Sequence, residues 1–414
     1  MDERNWAGNY RYEAASIQRP GSLEELQELV AGSRRVRALG SRRSFNGIGD
    51  TEGVLVSLDS LPAELSIDED AAQATVSAGT RYGELAVALE ECGLALHNLP
   101  SLPHISVAGA LATGTHGSGV AQGPLSSAVA AIDLVGPGGE VRHVVRGEPD
   151  FGGSVVSLGA VGIAVRVTLD LVPSFDLRQT VYTSLPWDTV LAEFDAVMSS
   201  GYSVSLFTGW TGERLTQVWL KGEQSPPDFF GARPATERVH VAPGGDAGAM
   251  TAQDGQPGPW LHRLPHFRMG YMPNSGAELQ SEYLVARDRA AEAFEAIRAL
   301  GDRIATAVVV AEVRTIAADD QWLSGSFGRD TVGLHFTWRP DEAAVAVLLP
   351  AMEAALLPLG ARPHWGLCFT ATRLELAPLY PHWQEFGLLR DRWDPDDTFG
   401  NAFLDRAFGP RFPK

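Results

Sequence analysis

The chain has little cysteine, a deficit of positive charge and no long apolar run, and each shortage excludes something. Two cysteines, Cys92 and Cys368, in 414 residues cannot staple a fold of this size or build a cysteine-rich zinc or iron–sulfur centre. They fit a reducing compartment. Lys and Arg total 33 against 51 Asp and Glu, a net charge of −18, which argues against nucleic-acid and anionic-membrane partners. No apolar stretch reaches the ~18 residues needed to cross a bilayer; V-S-L-G-A-V-G-I-A-V stops at Arg166 and T-A-V-V-V-A-E-V contains Glu312. The opening M-D-E-R-N-W-A-G-N-Y lacks the basic and apolar regions of a secretory signal, so a cytoplasmic location is expected. Several motifs are also missing. Without G-x-x-x-x-G-K-S/T or a G-x-G-x-x-G after a strand, a P-loop enzyme and a Rossmann site are disfavoured. Without H-E-x-x-H or G-x-S-x-G, neither a metal site nor a serine-hydrolase elbow is expected.

What is present describes a folded chain. At 44% apolar and 20% charged, its length suggests two or three domains. The first ~170 residues alternate short helices and strands. Ser22 and Glu25 fit a capping box at the start of L-E-E-L-Q-E-L-V. R-V-R-A-L and residues 74–79 read as strands, and 81–92 as a helix stopped by Gly93. I-D-L-V, P-G-G and E-V-R-H-V-V read as a hairpin, and 157–172 as a loop followed by a buried strand. Beyond about residue 175, helices are predicted at 187–199, 286–300, 341–357 and 382–393. Strands are expected at V-S-L-F-T-G-W, L-T-Q-V-W-L, T-A-V-V-V-A-E-V-R, V-G-L-H-F-T-W and W-G-L-C-F-T. This mixture predicts an α+β fold. Residues 221–236 and 241–259 read as long loops without obvious chemistry.

Two small-residue loops are candidates for holding a phosphate: Gly40-Ser41-Arg42-Arg43-Ser44-Phe45-Asn46, and Thr113 to Gly119 (T-G-T-H-G-S-G). Successive glycines let backbone N–H groups converge on an anion, which matters in a chain with few cations to spare. By spacing alone, such loops are equally well ordinary loops.

R-A-L-G-S-x-x-S-F-N, followed by N-L-P-S-L-P-H-I-S-V-A-G-A-L-A-T-G-T-H-G-S-G, resembles the FAD-binding domain of the vanillyl-alcohol-oxidase superfamily. N-W-A-G-N, S-V-S-L-F-T-x-W, G-A-E-L-Q-S-E-Y, E-x-R-T-x-A-A-D-x-Q-W-L-S, G-R-D-T-V, H-F-T-W and A-R-P-H-W-G extend the likeness, over nearly the whole chain, to the alditol (xylitol) oxidases. The resemblance implies a two-subdomain FAD-binding domain at 1–172, and a substrate-binding cap domain with an antiparallel sheet at 173–375. It also implies a C-terminal segment, 376–414, returning to the FAD domain. The implied cofactor set is Gly40, Ser41, Arg42, Arg43, Ser44, Phe45, Asn46, Ser106, Gly109, Thr113, Gly114, His116, Gly117, Ser118, Ile163 and Asn401. Read without the family, Ser106 fits a turn and His116 a structural histidine.

The chain departs from the family pattern twice. Where the family has a histidine joined covalently to the flavin, this chain has Arg43, beside Arg42 in place of a glycine. A guanidinium cannot form that bond, so dissociable, noncovalent FAD is expected. Arg42 then needs a backbone angle that tolerates a Cβ, or a shifted loop; both arginines also fit a solvated surface. Where the family has a substrate lysine, this chain has Leu367. If W-G-L-C-F-T is a strand, Trp365, Leu367 and Phe369 share a face and form an apolar wall.

Glu312 and Arg314, two apart in a predicted strand, point to one face and can clamp vicinal hydroxyls; spacing alone also fits a surface ion pair. The resemblance makes Arg314, Glu312 and Ser106 the catalytic candidates, with Thr337, Leu367, Trp365 and His335 as further substrate contacts. His335 and His364 also fit as core histidines. The expected reaction is oxidation of an alcohol, with oxygen or another electron acceptor reoxidising the flavin. Two alternatives stand beside it: a tailoring enzyme for a cyclitol or secondary-metabolite alcohol, and a non-catalytic FAD-binding descendant.

Overall fold

The computed structural model describes residues 3–271, 276 and 278–411. The near-N-terminal part holds two sheets. Three short parallel strands run in the order Ser16–Gln18, Val54–Val56, Val36–Ala38. Five antiparallel strands run in the order Leu65–Asp68, Gln73–Ser77, Ile163–Asp170, Val129–Val135, Val141–Val145. The predicted helices are present as Leu23–Ala31 and Tyr82–Glu91, the latter followed by Gly93 at φ +70. The capping box at Ser22 is half as expected. Its side chain accepts from Glu25 N at 3.2 Å, but the Glu25 carboxylate accepts from Gly21 N, one residue earlier.

The later part is built on a nine-stranded antiparallel sheet among the described residues. Its central strands run Asp176–Thr183, Gln217–Gly222, Ser203–Thr208, Val308–Ile316, Thr331–Trp338, Leu279–Ala286. Side chains alternate between the faces of these strands, one face wholly apolar at its centre and the other mixing charged with apolar residues. One face carries Leu206, Val218, Val313, Leu334, Phe336 and Tyr283, all within 1% of full burial. They pack against helices Trp187–Met198, Ala290–Arg298 and Glu342–Leu356. Truncating one of these side chains to Ala costs about 2–5 kcal/mol. The other face carries the polar residues described below. The α+β expectation holds, and the long helices fall where the apolar spacing put them.

One predicted strand is absent. Trp365 and Gly366 form a turn in which Leu367 N donates to His364 O at 3.1 Å. The segment is pinned from outside: Phe45 N donates to Gly366 O, and the Asn46 amide donates to the carbonyls of Trp365 and Leu367 at 2.9 and 2.8 Å. Alternation therefore fails. Trp365 and Phe369 join the aromatic cluster with Tyr380, Trp383 and Phe403, while Leu367 packs with the sheet's apolar core. The C-terminal stretch packs against the first sheets. Phe399 lies among Leu26, Val36 and Val56, and Val36 N donates to Thr398 O.

Candidate active site

The sheet register builds one wall of the site. Phe207, Glu312, His335 and Glu282 are successive cross-strand partners, a row spanning four strands. Arg314 lies two residues along from Glu312, opposite Gly333. A Cβ at Gly333 would come within 3.1 Å of Glu282 Oε1, so the missing side chain makes room for the carboxylate. Facing this wall are the two small-residue loops, and between them lies a cavity of about 490 Å³.

The wall is a buried network of charge. Arg314 donates to Glu282 Oε1 at 2.7 Å, and its Nε lies 3.7 Å from Glu312 Oε2. Glu312 Oε1 accepts from His266 Nε2 at 2.9 Å. Glu282 Oε2 lies 3.4 Å from His116 Nε2 and 3.7 Å from His335 Nδ1. Burial alone would raise both carboxyl groups. Instead Arg314, helped by His266 at Glu312 and by His116 at Glu282, holds both well below the usual carboxylate range. Burial works against the Arg314 charge, yet the two carboxylates raise its pKa. Burial pushes His364 down to about 4, with Glu282 opposing. Both carboxylates are thus ionised at neutral pH, held by one guanidinium that stays charged.

The opposite wall has the character of an anion cradle. The N–H groups of Ser41, Arg42, Arg43 and Ser44 have no acceptor among the described residues. Ser106 Oγ is buried without a partner, and a Cβ at Gly109 would sit 2.8 Å from it. Arg42 adopts φ +59, so it keeps a left-handed angle that favours glycine rather than moving to one that suits a Cβ. Its guanidinium turns away to pair with Glu3 at 2.6 Å. Arg43 lies with its guanidinium carbon 4.0 Å from the Trp6 ring centroid. Its NH1 is buried and unpartnered, and burial pushes its pKa down to about 10 against the pull of Glu278. Unpaired donors on the first loop and at Ser106, with glycines where side chains would intrude, fit a bound diphosphate-linked cofactor such as FAD.

Most of the residues named from sequence meet at this cavity. Gly40, Ser41, Arg42, Arg43, Ser44, Phe45, Asn46, Ser106, Gly109, Thr113, His116, Glu312, Arg314, His335, Thr337 and Leu367 all line it. Six do not. Trp365 is turned into the aromatic cluster, where its indole donates to Leu323 O at 2.7 Å. Ile163 is core, packed with Val135 and Phe399. Asn401 caps the helix Ala402–Phe408 and donates to the carbonyls of Gly47, Ile48 and Asp50, bracing the first loop from behind. Gly114 turns the chain at φ +69. Gly117 abuts Asn98, and Ser118 Oγ donates to Val204 O at 2.6 Å, joining the second loop to the sheet. Three participants were not foreseen: Glu282, His266 and Lys221. Glu282 carried the same signal as Glu312, a carboxylate in a strand otherwise largely apolar. His266 and Lys221 carried none. The 241–259 stretch, read as lacking chemistry, begins with Val241 and Ala242 on the cavity wall.

Comparison with known proteins agrees with this geometry. A family model described as FAD binding domain matches residues 14–145, and one described as D-arabinono-1,4-lactone oxidase matches 276–407. Alditol oxidase of Streptomyces sp. (strain IKD472 / FERM P-14339) is 48% identical over 405 residues, covering 97% of each chain. L-gulono-1,4-lactone dehydrogenase of Mycobacterium tuberculosis is 30% identical over 434 residues, covering 98% of this chain and 99% of that protein. Among solved structures, a histidine-to-alanine mutant of cholesterol oxidase from Brevibacterium sterolicum superposes with a TM-score of 0.80 at 14% identity. That match covers 98% of this chain and 96% of the other, a likeness of fold.

Proposed function

The chain belongs to the alditol oxidase family of FAD-dependent oxidoreductases, and from that premise we propose that it oxidises a hydroxyl group of a polyol-like or sugar-like substrate. The observation that carries this reading is the row of buried charge on the sheet facing the two small-residue loops across one cavity. When bound, FAD supplies the two-electron acceptor for the carbinol hydrogen. Gly40 to Asn46, Ser106, Gly109, Thr113 and His116 would hold it. Arg314 Nε and His335 Nδ1 are buried without hydrogen-bond partners among the described residues, so substrate oxygens have groups to meet on the opposite wall. Glu312 accepts from neighbouring hydroxyls and orients the substrate. Arg314 stabilises negative charge that develops on the reacting oxygen. Its two carboxylate partners keep the guanidinium in place without reorganisation. Ser106 Oγ, free of protein partners, orients the reacting hydroxyl.

The FAD is held without a covalent bond, because Arg43 stands where a linking histidine would be needed. Oxygen is the proposed electron acceptor. A second reading is favoured by Leu367, which with Phe207, Val310 and Phe267 gives the cavity an apolar lining. It makes the substrate a cyclic or less polar alcohol than a linear alditol. Spectra before and after acid precipitation test the cofactor: flavin absorbance should move to the supernatant. Anaerobic bleaching by a panel of alditols, cyclitols, lactones and apolar alcohols tests the substrate. A preparation that takes up FAD but is bleached by none of them refutes the oxidation reading.

A further inference from the structure

Behind the acid–guanidinium pair lies an amine that the proposed chemistry does not touch. Of the 33 Lys and Arg residues only two are lysine, Lys221 and Lys414. Lys221, on the strand Gln217–Gly222 opposite Gln179 and Ser203, is 1% exposed. It forms no ion pair with a carboxylate among the described residues. Its Nζ donates to Leu264 O and lies 3.0 Å from His266 Nδ1.

We propose that Lys221 is a positioning residue, which by donating to Nδ1 anchors His266 with its proton on Nε2 and so holds Glu312 in place for substrate. This rests on the reading of Glu312 as a substrate carboxylate. An ammonium only donates, so Nδ1 of the ring must accept, and its one proton then sits on Nε2. That N–H reaches Glu312 Oε1 at 2.9 Å, leaving Oε2 toward Arg314. The opposite tautomer would turn a bare lone pair on a carboxylate oxygen. The ring itself is clamped: Trp219 and Phe207 stand edge-on with centroids 5.0 and 5.7 Å away, and His266 N donates to Ser101 O.

Charge balance agrees. Glu312 and Glu282 face Arg314 as the one guanidinium paired with them in the network, and a protonated Lys221 supplies the second positive charge. Burial pushes Lys221 down to about 7, with the Glu312 carboxylate opposing and Arg314 adding to the drop. Burial, then Lys221, pushes His266 down to about 4, which keeps the ring neutral and its tautomer meaningful. An arginine in this slot would bring five donors to two acceptors.

The test uses the FAD-loaded protein labelled with ¹⁵N-histidine, together with anaerobic flavin reduction by xylitol. In the wild type at pH 6, where Lys221 is charged and the ring neutral, His266 should show a protonated Nε2 and an unprotonated, hydrogen-bonded Nδ1. In Lys221→Met, of similar length but without a donor, Glu312 still accepts from Nε2, so the proton stays there while the Nδ1 resonance moves to that of a nitrogen without a hydrogen bond. Flavin reduction at saturating substrate should slow about tenfold or more, while FAD affinity stays within about twofold. His266→Gln, whose amide can accept from Lys221 and donate to Glu312, should recover much of the loss seen in His266→Leu. It should do so only while Lys221 is present. An Nδ1 resonance unchanged in Lys221→Met, or a changed one without slowing, overturns the proposal. Should Lys221→Met fail to fold, the wild-type spectrum decides alone: a protonated Nδ1 there overturns it. Should xylitol fail to bleach the wild type, an alcohol of the panel that does so takes its place; if none does, the oxidation reading fails, and the Nδ1 resonance in Lys221→Met still reports on Lys221.

Discussion

Glu282→Gln isolates the contact that holds Arg314. Glu282 is 3% exposed and takes a 2.7 Å hydrogen bond from Arg314, with His116 and His335 at 3.4 and 3.7 Å from its other oxygen. The glutamine keeps the volume and one acceptor oxygen, but removes the charge and places an amide among cationic or donor groups. Breaking a buried pair by removing one charge costs about 3–5 kcal/mol, and one charge-assisted hydrogen bond is worth about 1.5–3 kcal/mol. Because an acceptor survives, the expected destabilisation is about 2–3 kcal/mol. Arg314 is left with a neutral acceptor in place of the carboxylate, the 3.7 Å contact to Glu312 and a 3.5 Å hydrogen bond to Ser101 Oγ, so it should wander from the reacting oxygen. A displacement of about 1 Å costs roughly 10²-fold in rate. The assays are the urea midpoint followed by tryptophan fluorescence, and the anaerobic rate of flavin reduction. Glu292→Gln, in an exposed ion pair with Arg289, serves as a control expected to change neither. If Glu282→Gln matched the control in both, the claim that Glu282 anchors Arg314 would be refuted.

Three further outcomes follow from the same geometry. Leu367→Lys should shift preference toward linear alditols, read as the ratio of kcat/KM for xylitol to that for a cyclic alcohol. An unpaired buried hydroxyl costs about 1–3 kcal/mol, so a change of about tenfold is expected, and an unchanged ratio removes Leu367 from specificity. Stability should fall with acid in two stages, seen as the urea midpoint against pH. His266 and His364 fall from 6.5 to about 4 on folding, so the unfolded chain takes up their protons first. Their contribution is complete above about pH 6.5 and is lost down to about pH 4. Glu312 and Glu282 are held low, so their contribution is present above their unfolded values and is lost as pH falls through the acid range below about 4.3. His364→Gln should flatten the first stage and leave the second. Finally, Arg43→Ala should weaken FAD binding, measured by titrating apoprotein, while the acid-released fraction stays complete; protein-bound flavin after precipitation contradicts noncovalent attachment.

The sequence by itself determined the parts that are local. Glycine spacing marked both loops, whereas the left-handed angle at Arg42 was not foreseen, since a Cβ there called for an angle that tolerates it or a shifted loop. Helical periodicity located the long helices. Two polar residues at a spacing of two in an apolar strand put Glu312 and Arg314 on one face, because strand alternation is a property of the backbone alone. Tertiary structure decided what those residues meet. The row Phe207, Glu312, His335, Glu282 exists only because four strands distant in sequence pair in one register. The Lys221–His266–Glu312 line needs a loop folded over the same sheet. Trp365 was misplaced for the same reason. Its segment alternates like a strand, but Phe45 and Asn46, some 320 residues away in the chain, take its backbone groups and bend it into a turn. Hydrogen bonds made across such separations leave no trace in local spacing, so the partners of a correctly placed side chain are known only once the sheet is assembled.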